Sequence, residues 1–210
     1  MVGRIIEGPQ DVAEGAAWLA AREPRFAAAL AEVGPLPLRR HAGGFAALMD
    51  AIIGQQVSVA SAAAIRARMA AAGFLDAATV AATDEVALRA AGLSRQKARY
   101  ALALAQAGID YDALAQMPDE TVIATLVAVP GIGRWTAEIY AKFALGRADV
   151  FAAGDLALQE GARLLFDLPE RPGERALRAL AEDWRPWRAV AARVLWAYYR
   201  VAKGREGVGG

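Results

Sequence analysis

The sequence contains no cysteine and a single histidine, His41. The first absence removes disulfides, thiolate nucleophiles, iron–sulfur clusters and cysteine-built zinc sites. The second removes any metal centre that needs several imidazoles. An excess of one charge is lacking too, since 24 basic and 23 acidic residues leave a net +1. An anion-binding surface must therefore come from local clustering rather than global basicity. No window approaches the roughly 18 uninterrupted apolar residues of a membrane span, and the N-terminal MVGRIIEGPQ has no apolar core of an export signal. A cytoplasmic protein with no membrane association is expected.

What is present is a folding chain: 210 residues, 56% hydrophobic and 22% charged, enough for one good-sized core or two small lobes. It is alanine-rich and reads as helices separated by short glycine and proline breaks. A helical pair spans 10–33, with Pro24 opening its second member. GPLPLRR, 34–40, is an extended connector, and helices follow from Phe45 to about Ala72 with a break near GQQVS. TDEVALRAAGL, 83–93, is a capped helix ended by Gly92, and the next starts at SRQK. Asp119 is expected to cap the helix over 118–127. Another begins near Arg134 and ends before Gly146, and a further helical pattern follows Gly154-Asp155. The last helices cover about 174–182 and 187–202, before a frayed tail over 204–210. No strand alternation is sustained, so the fold class is all-α.

One joint between helices is unusual: VPGIGRWTAEIY, 129–140. Pro130 blocks continuation of the first helix, because its ring clashes with the preceding turn. Gly131 and Gly133 lack Cβ atoms, so another backbone or an anion can come close. The amides of this loop and of the next helical turn then lack intrahelical partners and favour an anion. The plain alternative is a tight turn between packed helices. Likewise, an aspartate at position 155 reads first as a helix cap.

Four stretches in order carry a resemblance: IIGQQVSVASAA at 52–63, AAGLSRQKARY at 90–100, LVAVPGIGRWTAEIY at 126–140 and FAAGDLALQ at 151–159. Together they resemble the bacterial 3-methyladenine DNA glycosylase II family, within the helix-hairpin-helix superfamily of DNA glycosylases. The resemblance covers roughly residues 40–200. It implies a helix-hairpin-helix that grips a DNA phosphate backbone through Gly131, Ile132, Gly133 and Arg134. Carbonyls of Val127, Val129 and Ile132 are then placed to hold a monovalent cation, and no catalytic metal or cofactor is called for. Asp155 falls on the family's catalytic carboxylate, which stabilises the positive charge that develops on the sugar as an N-glycosidic bond breaks. Asp149 and Asp167 do not match the motif.

The same resemblance assigns a base pocket to Trp135 and Trp196, with Tyr140 and Phe45 as weaker candidates. Electron-rich rings attract an alkylated, positively charged purine, by about 0.5–2 kcal/mol per contact. Trp18, Trp184 and Trp187 are left to the core. Gln56 takes the position of a wedge that fills the gap left by a flipped nucleotide. Alternatively, Gln55 and Gln56 bond backbone between helices. Bifunctional relatives place a Schiff-base lysine just after the hairpin. Here that place holds Trp135 and the nearest lysine is Lys142, which implies hydrolysis without lyase activity.

Basic clusters over 89–99 and 185–205, without an acid in either, agree with a DNA-facing surface. Ser94, Arg95 and Lys97 are the preferred phosphate contacts, because SRQK also starts a helix. His41 is read as an ordinary surface residue. The resemblance implies two lobes, 41–149 with the hairpin and 1–40 joined to 150–210, with the active-site cleft between them. It also implies a compact form without the N-terminal β-domain of some relatives. The expected partner is double-stranded DNA carrying damaged bases, the expected state a monomer with no obligatory protein partner. Two rivals stay open: a superfamily member acting on hypoxanthine or ethenoadenine, and a non-catalytic helix-hairpin-helix DNA-binding protein.

Overall fold

The structure is a computed structural model in which residues 2–206 are described. Among them are thirteen α-helices and one short 3-10 helix, with no sheet beyond an isolated antiparallel bridge between Ile5 and Arg147. No described helix is long and apolar enough to cross a membrane. The chain divides into two compact units, one built on His41–Tyr140, the other on Gly3–Arg40 and the chain from Ala141 on.

The first unit runs from α3 (Phe45–Gly54) through α4 (Val59–Ala71), α5 (Ala77–Ala81), α6 (Glu85–Ala90), α7 (Arg95–Gln106), α8 (Tyr111–Ala115) and α9 (Asp119–Val127) into α10 (Arg134–Phe143). Its starts are written in short polar side chains. Ser58, Asp76, Asp84, Ser94 and Asp110 each accept an amide of the turn they open, at about 1 kcal/mol apiece. Asp119 is not such a cap: Pro118 holds that position and Asp119 is the first helical residue. Proline fixes the extended backbone of a cap position without offering a side-chain acceptor. Helix α7 lies against α3, α5 and α6, with Ala98, Ala101 and Leu104 buried. Its alanines allow that close approach, while Leu48, Met49, Ile52 and Ile53 of α3 supply the apolar bulk.

The second unit comprises α1 (Pro9–Arg22), α2 (Pro24–Val33), α11 (Leu156–Leu165), α12 (Glu174–Leu180), the 3-10 helix Ala181–Trp184 and α13 (Arg188–Glu206). Helix α13 packs on α1, α2 and α11 and is buried from Ala189 through Leu195. On α11, Gly161 permits a close approach to α13, because a Cβ there would stand 2.7 Å from the carbonyl oxygen of Leu195. Phe26, Phe151 and Phe166 surround Trp184 with ring centroids 5.3–5.6 Å away, and the fully buried Phe26 contributes about 1.5–3 kcal/mol.

Trp184 and Trp187 are core residues as expected, but Trp18 is only half-buried and lies beneath the Arg22 guanidinium at 4.0 Å. The unit boundary falls after Tyr140, nine residues before the expected one. Residues 141–149 belong with the second unit because Ile6 donates to Gly146 (2.7 Å), Ala148 to Arg4 (3.0 Å) and Ala189 to Ala148 (2.8 Å). The expected tail is helical backbone through Glu206, and its last four residues lie outside the described ones.

Candidate functional site

The site residues fall in both units, and each group has its own geometry. In the first unit, the turn between α9 and α10 is pinned by Ile132 N–H on Val129 O at 3.1 Å. Ile132 is buried, so its amide anchors the turn and is not the anion contact expected of it. Gly131 is left-handed, φ +92°, and its carbonyl accepts from Gln55 Nε2 at 3.0 Å. The ladder of α10 begins with Ala137 N on Gly133 O at 3.0 Å. The amides of Gly133 and Arg134 precede it, as an anion site requires. Arg134 itself is braced by Glu138 (2.9 Å) and Glu120 (3.2 Å), so its guanidinium ties α9 to α10.

Around this turn lies a groove of about 420 Å³ lined by Gln55 and Gln56, by Ser94, Gln96, Lys97 and Tyr100, by Val127, and by Val129 through Gly133. Three stretches far apart in sequence, GQQVS, SRQK and PGIG, thus share one surface. Gln56 is exposed with φ +55°, projecting from the break after α3, whereas Gln55 bonds backbone. Gln55 thus bonds backbone, as the plain alternative has it. Ser94 caps α7 and is exposed.

Lys97 is buried, and its ammonium donates to Ile53 O at 2.7 Å, tying α7 to the end of α3. Burial pushes its pKa below the usual lysine range. This is a structural post rather than an exposed phosphate contact. Arg95 and Arg99 are exposed, but both face Glu85 on α6, at 3.7 and 3.4 Å. The acid missing from 89–99 is supplied from just outside the window.

A second hollow, about 680 Å³, lies along the small-residue face of α3 and the start of α10. Ala46, Ala47, Ala51 and Gly54 leave the space, and Trp135, Ile139 and Tyr140 wall it, with the Asp50–Arg66 ion pair (2.7 Å) and His41 at its edges. Trp135 is 47% exposed, a large apolar ring offered to solvent beside a cavity. The Tyr140 hydroxyl accepts from Gly44 N–H at 2.8 Å. Phe45 is buried in α3 and does not line the hollow.

In the second unit, Asp155 caps α11. Its Oδ1 accepts from Ala157 N at 2.9 Å, Leu158 N at 3.0 Å and the Trp196 indole N–H at 3.2 Å. Three donors on one oxygen fix the carboxylate plane, and hence the direction of Oδ2. The residue is half-buried. Gln159 Nε2 bonds Ala153 O at 2.9 Å and steadies the approach to the cap, a support that no sequence signal identified. Trp196 stacks on Phe143 at 5.8 Å. The expected cap reading of Asp155 is therefore correct, and it coexists with an aromatic neighbour. The basic segment after 185 is not one anionic-ligand face: Arg185 and Arg188 pair with Asp149 and Glu182, and Arg193 is buried.

A family model described as the HhH-GPD superfamily of base excision DNA repair proteins matches residues 49–186, which hold both the hairpin and the aspartate cap. The chain belongs to this superfamily. Among HhH-GPD structures, the DNA-3-methyladenine glycosidase of Bacillus halodurans is 30% identical and superposes with a TM-score of 0.80 over 93% of this chain and 91% of its own. The 3-methyladenine DNA glycosylase of Schizosaccharomyces pombe, solved with abasic DNA, is 27% identical with a TM-score of 0.75 over 87% and 95%. By sequence, DNA-3-methyladenine glycosylase 2 of Escherichia coli is 33% identical over 160 residues, 70% of this chain and 54% of its own length. The putative DNA-3-methyladenine glycosylase YfjP of Bacillus subtilis is 30% identical over 122 residues, 56% and 42%. The chain spans about half the length of the first curated relatives it matches.

Proposed function

We propose that this HhH-GPD protein is a monofunctional DNA glycosylase that removes alkylated purines, of the 3-methyladenine and 7-methylguanine type, from double-stranded DNA. The observation that carries the reading is the Asp155 carboxylate, held on one oxygen by two helix amides and an indole. That arrangement supplies a fixed negative charge, which suits an oxocarbenium-like sugar better than it suits a helix cap alone.

In this reading the groove around Gly131 and Gly133 takes a backbone phosphate on the Gly133 and Arg134 amides. The carbonyls of Val127, Val129 and Ile132 form an all-oxygen donor set of the kind a monovalent cation accepts; the first two residues line the groove with Ile132. Gln56, presented on left-handed backbone beside the groove, enters the stack as the target nucleotide leaves it. Trp135 offers its exposed face to the extruded, positively charged base. As the bond between base and C1′ breaks, Asp155 stabilises the sugar cation. Water adds to C1′ and gives up its proton, the electron pair of the old bond leaves with the base, and an abasic site remains. The position just after the hairpin, where a Schiff-base lysine would stand, holds Trp135. The product strand is therefore not nicked. DNA is the only partner the reaction needs, and the chromosome in the cytosol is the proposed place of action.

The test is release of free base from methylated duplex DNA, followed by strand analysis with and without alkali. Free base, with breaks only after alkali, is expected. Breaks without alkali would contradict hydrolysis alone, and no release from any methylated, deaminated or etheno-modified duplex would favour a DNA-binding protein without catalysis.

A further inference from the structure

The indole that holds Asp155 has a second charged neighbour. Lys142, in the last turn of α10, has no exposed surface. Its Nζ lies 3.9 Å from the centroid of the Trp196 ring and 5.3 Å from that of Phe143. Phe143 stacks on the same indole with an interplanar angle of 23°. Arg193 lies 5.2 Å over Phe143, with its guanidinium donating to the carbonyls of Ala189 and Leu38. Trp196 thus has an ammonium on its face and a carboxylate oxygen at its edge.

These two contacts reinforce each other. An indole carries negative potential on its face and positive potential at its N–H edge. A cation on the face draws π density toward itself, which leaves the edge proton more positive and a stronger donor. Removal from water makes the effect larger on the ring's face, where Lys142 is fully buried. Burying an ammonium costs several kcal/mol, and an unbranched apolar side chain would fill the same space without that penalty. A lysine rather than an apolar side chain at this place points to a role for its charge, and the ring it faces is the one that bonds Asp155.

We propose that Lys142 is a positioning residue for base release: through the face of Trp196 it strengthens the indole N–H bond that fixes Oδ1 of Asp155. It touches neither base nor sugar. The consequence for catalysis rests on the glycosylase reading, whereas the relay from Lys142 through Trp196 to Asp155 belongs to the folded protein alone. Its signature is therefore a change in the chemical step without a change in DNA affinity.

A double-mutant cycle with Lys142→Met and Trp196→Phe tests this by single-turnover base release from methylated duplex DNA. Lys142→Met is expected to slow release about tenfold while affinity for abasic duplex stays within about twofold. In the Trp196→Phe background the same change should add less than about twofold, because the N–H it acts on is gone. Equal factors in both backgrounds, or a loss carried by affinity, would overturn the relay. A second measurement needs no substrate. The Nε1 proton of Trp196, assigned as the resonance missing from Trp196→Phe, should lie downfield of a solvent-exposed indole in the wild-type protein. It should move upfield in Lys142→Met. Coincidence with an exposed indole in the wild type would overturn the inference even if Lys142→Met does not fold. An inactive wild type with the downfield proton would count against the glycosylase reading and leave the relay standing.

Discussion

The Tyr100 side chain occupies the volume that a side chain at Gly131 would need. A Cβ built on Gly131 would stand 2.5 Å from Tyr100 Cδ2 and 2.7 Å from its Cβ. The hairpin is therefore seated on α7 through an aromatic ring, and the groove between them owes its shape to a missing methyl group.

The two hairpin glycines separate stability from binding. Gly131→Ala must both relieve that overlap and hold a left-handed backbone, at about 1–3 kcal/mol for the backbone alone, so its melting temperature should fall by several degrees. A Cβ on Gly133 meets nothing within 4 Å and is not in left-handed backbone. Gly133→Ala should melt like the wild type yet bind duplex DNA several-fold more weakly, by crowding the amide that faces the phosphate. Thermal melts and fluorescence anisotropy read the two effects, and equal behaviour of the two variants would refute the assignment.

Two phenols of the first unit should ionise late. Burial pushes Tyr111 up to about 12, with the charge of neighbouring Tyr140 adding to it. Burial also raises Tyr140, against the lowering effect of the Gly44 amide. An acid whose folded pKa is raised keeps its proton longer folded than unfolded. Its contribution to stability is thus whole below about pH 10 and is lost as pH climbs toward about 12. A spectrophotometric titration of the five tyrosines should show two lagging until alkaline unfolding. Five phenols titrating together near pH 10, with the fold intact, would contradict the burial.

Asp149 shows what a purely structural acid looks like beside Asp155. It accepts from Arg185 Nε at 3.0 Å and from Arg188 Nε and Nη2 at 2.8 and 3.0 Å. Asp149→Asn leaves Arg185 and Arg188 with Glu182 as their remaining carboxylate partner and should destabilise the protein by about 1–3 kcal/mol. Base release measured well below the melting transition should persist. An unchanged melting temperature would remove Asp149 from this role.

Much of the fold was legible because its punctuation is local. Ser94 and Asp84 announce helix starts, Pro130 and Gly131 announce the hairpin, and Asp155 announces the cap it makes. What escaped depends on three-dimensional neighbours. Lys97 and Arg193 read as members of basic runs but are buried. In an alanine-rich chain, long side chains fill the room that small ones leave, and they bond carbonyls distant in sequence, Lys97 that of Ile53 and Arg193 that of Leu38. Arg95 reads as free positive charge until Glu85, on the preceding helix, is seen facing it. Phe45 and Tyr140 are both aromatic residues beside the hollow in sequence terms, yet helix rotation puts only Tyr140 on its wall. The unit boundary was displaced because 141–149 is held by backbone bonds to Arg4 and Ile6, more than a hundred residues earlier.

The most direct measurement compares wild type and Asp155→Asn in single-turnover base release from methylated duplex DNA, alongside binding to abasic duplex. Asparagine keeps an oxygen for the Ala157, Leu158 and Trp196 donors, so the helix start should survive while the charge is removed. Release slower by at least about 100-fold with unchanged binding is the expected result. Release at the wild-type rate would show that the carboxylate only caps its helix.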